Sequence, residues 1–206
     1  RVPHTHYIPR APPHPVAPPP SPPPPPPPDS PCGFQVTSGG SAGGFYLENG
    51  GRLAIALHRG FNIAVLDVQS RAVLSYRSYD TYGGGDYGVR IDGVASGACV
   101  GGCASAMAAY VVGPLASTHA GQLVMIAIHD EGSRDSETVF SALRSVLGVR
   151  SSRLPWMHRY AVIGLVGGAT PLAEDMGTAG YAVASAEWMH FPCPLPPGAP
   201  PLPPSM

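Results

Sequence analysis

Seven consecutive prolines, Pro22 to Pro28, constrain this chain more than any other feature. A proline ring locks φ and removes the backbone N–H, so such a run enters neither a helix nor an inner strand. The 27 prolines are also unevenly placed: 16 fall in residues 1–31, three in 32–191 and eight in 192–206. The middle is rich in Val, Ile, Leu, Ala and Tyr, which rules out disorder throughout. No glycine recurs every third residue, which rules out collagen. The chain therefore divides into a Pro-rich arm (1–31), a folded body (32–193) and a Pro-rich tail (194–206). The arm reads as polyproline II, which rises about 3.1 Å per residue, so residues 9–31 reach roughly 70 Å.

Charge and cysteine content narrow the setting. The net charge is −1, only 12% of residues are charged, and all 12 positive residues are arginine. With no basic stripe, nucleic acid is not an expected partner. No apolar run reaches the roughly 20 residues that span a bilayer, so no membrane span is expected. A chain beginning at Arg1 reads as a processed chain or a fragment. Of the four cysteines, Cys32 and Cys193 flank the proline-poor body, and Cys99 and Cys103 stand close together. An even count with that placement points to a Cys32–Cys193 staple, a small Cys99–Cys103 loop and an extracellular protein. No Asn-x-Ser/Thr sequence occurs, so any sugars are expected to be O-linked.

Along the body, periodicity predicts strands at Leu53–Leu57, Phe61–Asp67, Ala72–Tyr79, Leu123–His129, Tyr160–Val166 and Ala179–Trp188. In the second of these, Phe61, Ile63 and Val65 share one face and Ala64 and Leu66 the other, so both faces are apolar and the strand is central. Gln69-Ser70 makes a hairpin turn, and the Gly-rich stretch 86–102 reads as an inserted loop. A short helix over Ala104–Val112 is expected to end at Gly113-Pro114. A longer one over Asp135–Leu147 has Ser133 or Ser136 as its cap and Gly148 as its stop. Strands and helices in this order predict an α/β (α+β) layered domain.

Two resemblances add to this reading. Ser21 followed by the proline run resembles the Ser-Pro blocks of plant and algal hydroxyproline-rich, extensin-like glycoproteins. That likeness implies hydroxylation and O-glycosylation at Pro18, Pro19, Pro20, Ser21, Pro22, Pro23, Pro24, Pro25, Pro26, Pro27 and Pro28. A stiff unmodified spacer or an SH3-type ligand is the alternative. In the body, Arg59-Gly60-Phe61-Asn62-Ile63-Ala64-Val65-Leu66, Ser78-Tyr79-Asp80-Thr81-Tyr82 and Asp130-Glu131-Gly132-Ser133 resemble the ILEI/PANDER-like domain. So do Leu143-Arg144-Ser145-Val146-Leu147-Gly148 and Leu154-Pro155-Trp156 with Tyr160-Ala161-Val162-Ile163-Gly164. The likeness spans about residues 32–191, with an apparent insertion near 84–103. It implies a compact β-β-α globule with mixed sheets and two main helices, a first-to-last Cys32–Cys193 bridge, and a secreted, non-enzymatic binding role.

The resemblance also implies a glycan site. Asp130 matches a sugar-binding acid, Trp156 supplies an aromatic face, and Met157 stands where the family has arginine. Arg159, two residues on, is then the candidate replacement. Catalytic chemistry is not expected. Gly39-Gly40-Ser41-Ala42-Gly43 is only a partial nucleophile elbow, and His129, Asp130 and Glu131 alternate faces on a strand. Gly164–Gly168 precedes no helix, and Asp80, Asp86 and Asp92 lack calcium-loop spacing. No metal or cofactor is expected. The expectation is a structural extracellular glycoprotein whose arm contacts other copies of itself in a filament or matrix. The alternative is a lectin-like module of a cell wall or ciliary surface with glycans as partners.

Overall fold

The structure is a computed structural model that describes residues 31–39, 43–47, 52–68, 70–82, 88–177 and 184–192. Residues 1–30 of the arm, the tail, Cys193 and the proposed modification sites Ser21 and Pro18–Pro28 lie outside the described residues, while Pro31 belongs to the first strand of the body.

Among the described residues, ten strands form two sheets. The small one orders β10 (Ala184–Pro192), β1 (Pro31–Ser38) and β2 (Gly44–Leu47). The large one runs β6 (Val94–Gly97), β5 (Val89–Ile91), β4 (Val73–Tyr79), β3 (Gly60–Leu66), β7 (Leu123–His129), β8 (Tyr160–Leu165) and β9 (Ala173–Met176). Every pairing among them is antiparallel. Helices α1 (Cys103–Tyr110) and α3 (Ser136–Leu147) are the main helices, and the fold is α+β.

The central strands are apolar on both faces because both faces are covered. Phe61, Ile63 and Val65 of β3, with Val124, Ile126 and Ile128 of β7, bury against the helices. Ala64, Leu66, Leu123, Met125 and Ala127 bury against Phe34, Val36 and Phe45 of the small sheet. The result is three layers: small sheet, large sheet, helices. The even–odd split is the one the sequence predicts for β3, since successive strand residues point to opposite faces. In α3, Val139, Phe140, Leu143, Val146 and Leu147 form the buried stripe, with Phe140 edge-on to Phe61 and Tyr160 at ring separations of 6.1 and 4.8 Å.

Several expectations are corrected. Leu53–Leu57 is not a strand. Its side chains do alternate, with Leu53, Ile55 and Leu57 half-buried on the second core, but its backbone forms no ladder. The segment is held instead by buried Asn62, whose Oδ1 accepts His58 N at 2.8 Å and whose Nδ2 donates to His58 O at 2.7 Å. Residues 86–102 are not a plain loop: β5 and β6 within them form a hairpin that extends the large sheet. Gly113-Pro114 does not end the helix. A π-helical turn, Val111–Leu115, absorbs the missing proline N–H and leads into α2 (Ala116–Thr118). Neither Ser133 nor Ser136 caps α3; Asp135 at φ 52° precedes it without a side-chain cap, and Ser136 Oγ instead accepts Leu154 N at 2.9 Å. Strand β9 is absent from the sequence reading, because Ala173-Glu174-Asp175-Met176 shows no apolar alternation. The last strand is described over Ala184–Pro192, and the first part of the expected 179–188 strand lies outside the described residues.

Candidate functional site

Four of the segments that carry the family likeness, 59–66, 78–82, 130–133 and 154–164, meet at one end of the large sheet, whereas 143–148 lies at the other, where Gly167 N donates to Val146 O. At the first end β3 begins, β4 and β7 end and β8 begins, with Phe61 opposite Tyr79 and Gly60 opposite His129. Arg59 and Asp80 face each other across this end. The guanidinium donates from Nε to Oδ1 and Oδ2 at 3.1 and 3.0 Å and from Nη2 to Oδ2 at 2.7 Å. Tyr82 N donates to Asp80 Oδ1 at 3.3 Å, and the Tyr82 ring lies 5.9 Å from the Arg59 carbon. Thr81 Oγ1 donates to Gly132 O at 3.3 Å, tying the β4 exit to the loop after β7.

That loop is organised by Glu131. Its buried carboxylate accepts Gly132 N at 2.8 Å and Ser133 N at 2.7 Å on one oxygen, and Met157 N at 3.1 Å on the other. Burial alone raises a carboxyl pKa, but the amides of Ser133, Met157 and Gly132 outweigh it and hold Glu131 below its ordinary value. One side chain thus fixes the 130–133 loop to the 155–158 loop. Ser38 performs a similar task one layer down. The β7–β8 ladder stops at the Ala127–Ala161 pair, and the buried Ser38 hydroxyl bridges Ile128 O and Tyr160 N at the next rung.

The predicted glycan residues separate in this geometry. Asp130 is exposed at φ 61°, and Trp156 is 65% exposed. Trp156 lines an open groove of about 560 Å³ with Ser133, Arg153 and Pro155. Arg159 does not join them. It is 2% exposed and lies among the largest fully buried side chains, so it presents no surface to a sugar. The two-residue spacing that suggested a shared face assumes a strand, whereas Arg159 lies just before β8 begins at Tyr160. The expected Cys99–Cys103 disulfide is present and joins the end of the β5–β6 hairpin region to the first residue of α1. Cys32 lies in β1 opposite Phe191, while the Cys32–Cys193 pairing falls outside the described residues. Asp80 is engaged by Arg59 and Asp92 Oδ1 accepts Tyr76 N at 3.0 Å, so both carboxylates have internal work; Asp86 lies outside the described residues. Among the described residues, no group of His, Cys, Asp and Glu is placed to hold a metal ion, and no helix is long and apolar enough to cross a membrane.

Sequence reasoning missed the structural roles of Glu131 and of the Arg59–Asp80 pair. The signal available was that Arg59 and Asp80 each adjoin the end of an apolar strand, where antiparallel pairing brings the two ends together.

A β-β-α sandwich whose ordered sheet end is built from Arg59, Asp80 and Glu131 defines a domain class. The interleukin-like EMT inducer (ILEI) family model matches residues 59–168, more than half of the chain, and spans all three of these residues. The chain belongs to this family. No curated protein matches it.

Proposed function

We propose that this chain is a non-enzymatic extracellular glycoprotein with a structural role, in which the ILEI domain is the body and the Pro-rich arm is the connector. The observation that carries this reading is the pairing of Pro31 with Pro192 at the open end of the small sheet. The arm that precedes Pro31 and the tail that follows Pro192 therefore leave the domain from adjacent positions. A head-to-tail contact between that end and another copy propagates into a fibre. The Cys99–Cys103 disulfide supports an oxidising, extracellular setting. The Ser21-Pro run supports hydroxylation and O-glycosylation of Pro18–Pro28 in the manner of hydroxyproline-rich glycoproteins.

The test is assembly of the native glycoprotein against a form lacking residues 1–30. Filaments or large particles by electron microscopy and light scattering are expected for the full chain alone. A monodisperse full-length monomer under assembly-permitting conditions overturns the reading.

A second reading, a lectin-like module, is favoured by the exposed pair of Asp130 and Trp156 on loops that Glu131 holds together. It stands without Arg159. Glycan-array binding that disappears in Asp130→Ala supports it, and an empty array removes it.

A further inference from the structure

Two grooves on the helix layer join into one trough. The groove beside Trp156 shares Glu137 and Thr138 with a second one, of about 600 Å³, between α1 and α3. From Glu137 the second continues along α3 to Ser145, about 12 Å of helix at 1.5 Å per residue. Its lining is small-chained, with Ala108, Ala109 and Ser141. The margins carry two exposed apolar side chains, Trp156 at 65% and Val112 at 54%. An elongated trough with a low floor and an exposed indole admits a rod rather than a compact ligand.

Polyproline II is such a rod. Its shape is set before binding, and proteins recognise it in grooves lined by aromatic faces. This chain carries one in residues 9–31. Within it, Arg10-Ala11-Pro12-Pro13-His14-Pro15-Val16-Ala17 precedes the sites Pro18–Pro28 that the assembly reading assigns to hydroxylation and sugars, so these proline faces stay bare. Eight residues extend about 25 Å as polyproline II. Charge agrees with the fit. Residues 1–28 contain Arg1 and Arg10 and no acid. The Trp156 end of the trough presents exposed Asp135 and Glu137 against one arginine, Arg153. Neither carboxylate has an ion-pair partner among the described residues.

Geometry assigns the rod to another copy. Ser38, the last residue of β1, bonds Ile128 and Tyr160 beside the Glu131 loops, at the Trp156 end of the body. Pro31 is at the opposite end of that strand, roughly 20 Å away. Strand β1 also belongs to the small-sheet layer, whereas the trough lies on the helix layer. A stiff rod leaving Pro31 therefore starts from the far end and the far face of its own body.

We propose that residues 10–17 of one copy dock in the Trp156 trough of the next, with proline rings on the indole and Arg10 against Asp135 and Glu137. The inference rests on the arm being the connector and names its receptor. Residues 18–30, about 40 Å of polyproline II, then bridge the two bodies. Each copy gives an arm and receives one, so the contact is heterologous and a row of copies has polarity.

The experiment has two parts. A fluorescein-labelled peptide of residues 9–18 is titrated with the full chain below its assembly concentration and read by anisotropy. Saturable binding is expected, weakened at least about ten-fold by Trp156→Ala and weakened also by added salt. Trp156 is exposed, so the variant keeps its melting temperature. In the second part, Ser141→p-benzoylphenylalanine in unlabelled full chain is mixed with isotope-labelled full chain and irradiated. Cross-links from position 141 to residues 10–17 of labelled copies are expected. No saturable peptide binding, or equal affinity in Trp156→Ala, overturns the proposal. Cross-links confined to the same copy overturn the assignment to the next one. Filaments that form equally well with Trp156→Ala overturn the trough and leave the assembly reading intact. Peptide binding through Trp156 in a chain that stays monomeric supports the trough and overturns the assembly reading.

Discussion

Arg59 and Asp80 stand 21 residues apart in sequence, yet the guanidinium donates to both oxygens of an almost fully buried carboxylate, with a closest approach of 2.7 Å. The pair closes the end of the β3–β4 hairpin beside the loops that the family likeness marks. Asp80→Asn keeps the shape and removes the charge from a bidentate contact. Charge-assisted bonds of this kind contribute about 1.5–3 kcal/mol, and the partial exposure of Arg59 places the loss near the lower end. Urea unfolding is expected to show a loss of about 1–2 kcal/mol, with the denaturant slope unchanged.

Gly60 is the first residue of β3, at φ 91°, and a Cβ there lies 2.0 Å from the Tyr79 carbonyl oxygen. The obstacle is backbone of the paired strand, so no side-chain rotation relieves it. Gly60→Ala therefore combines a left-handed backbone penalty with a broken strand approach. The expected cost is above roughly 3 kcal/mol, read as insoluble expression or a large drop in melting temperature. Gly164→Ala is the control: its Cβ meets nothing closer than Leu147 Cβ at 3.6 Å, and a change of under about 1 kcal/mol is expected.

What the sequence made legible follows from period. Phe61, Ile63 and Val65 against Ala64 and Leu66 predicted a strand covered on both faces, and the three-layer order realises it. The α3 stripe was readable for the same reason. Elements set by partners rather than by their own residues were not readable. Leu53–Leu57 has strand alternation, but Tyr76 takes the Ala56 carbonyl and Asn62 takes both backbone groups of the adjoining His58. Strand β9 is polar enough to pass for loop and is fixed by Glu174, which accepts the amides of Arg150 and Ser151 and the Tyr160 hydroxyl. Asp130 and Trp156 were singled out only through the family likeness; the sequence placed Asp130 on a strand, whereas β7 ends at His129 and both residues lie exposed in loops. Arg159 was misplaced because burial of a long cation depends on neighbours far away in sequence.

Glu131 and Glu174 make the fold acid-sensitive. In each, burial by itself raises the pKa and backbone amides more than reverse it, so the folded value is lowered. The unfolded chain then binds more protons than the folded one in acid. The stabilisation is complete above the unfolded value near ~4.3 and is lost as pH falls through the lower folded values. Melting temperature is expected to hold steady from pH 7 to about 5 with respect to these groups and to drop below about 4.5. Glu131→Gln is expected to be less stable at pH 7 and to show a shallower acid decline. An acid profile identical to the unsubstituted protein removes Glu131 from this account.

The Cys99–Cys103 bridge anchors the start of α1, where no side chain caps the helix. Its loop is short, so the chain-entropy contribution is modest, about 2 kcal/mol. Cys99→Ser with Cys103→Ser is expected to lower stability by about that amount while leaving the sheet intact by circular dichroism. The Cys32–Cys193 staple is expected to matter more. Pro31 pairs with Pro192 and Cys32 with Phe191, so a bridge from Cys32 to the residue after Pro192 fastens β1 to β10 and closes a loop of most of the chain. Closing long loops removes more denatured-state entropy, on the order of 4–5 kcal/mol. Non-reducing peptide mapping is expected to recover the 32–193 pair, and Cys32→Ser to release the small sheet first, seen as faster amide exchange in β1 and β10 than in β3 and β7. Free thiols at both positions in protein produced under oxidising conditions overturn the staple.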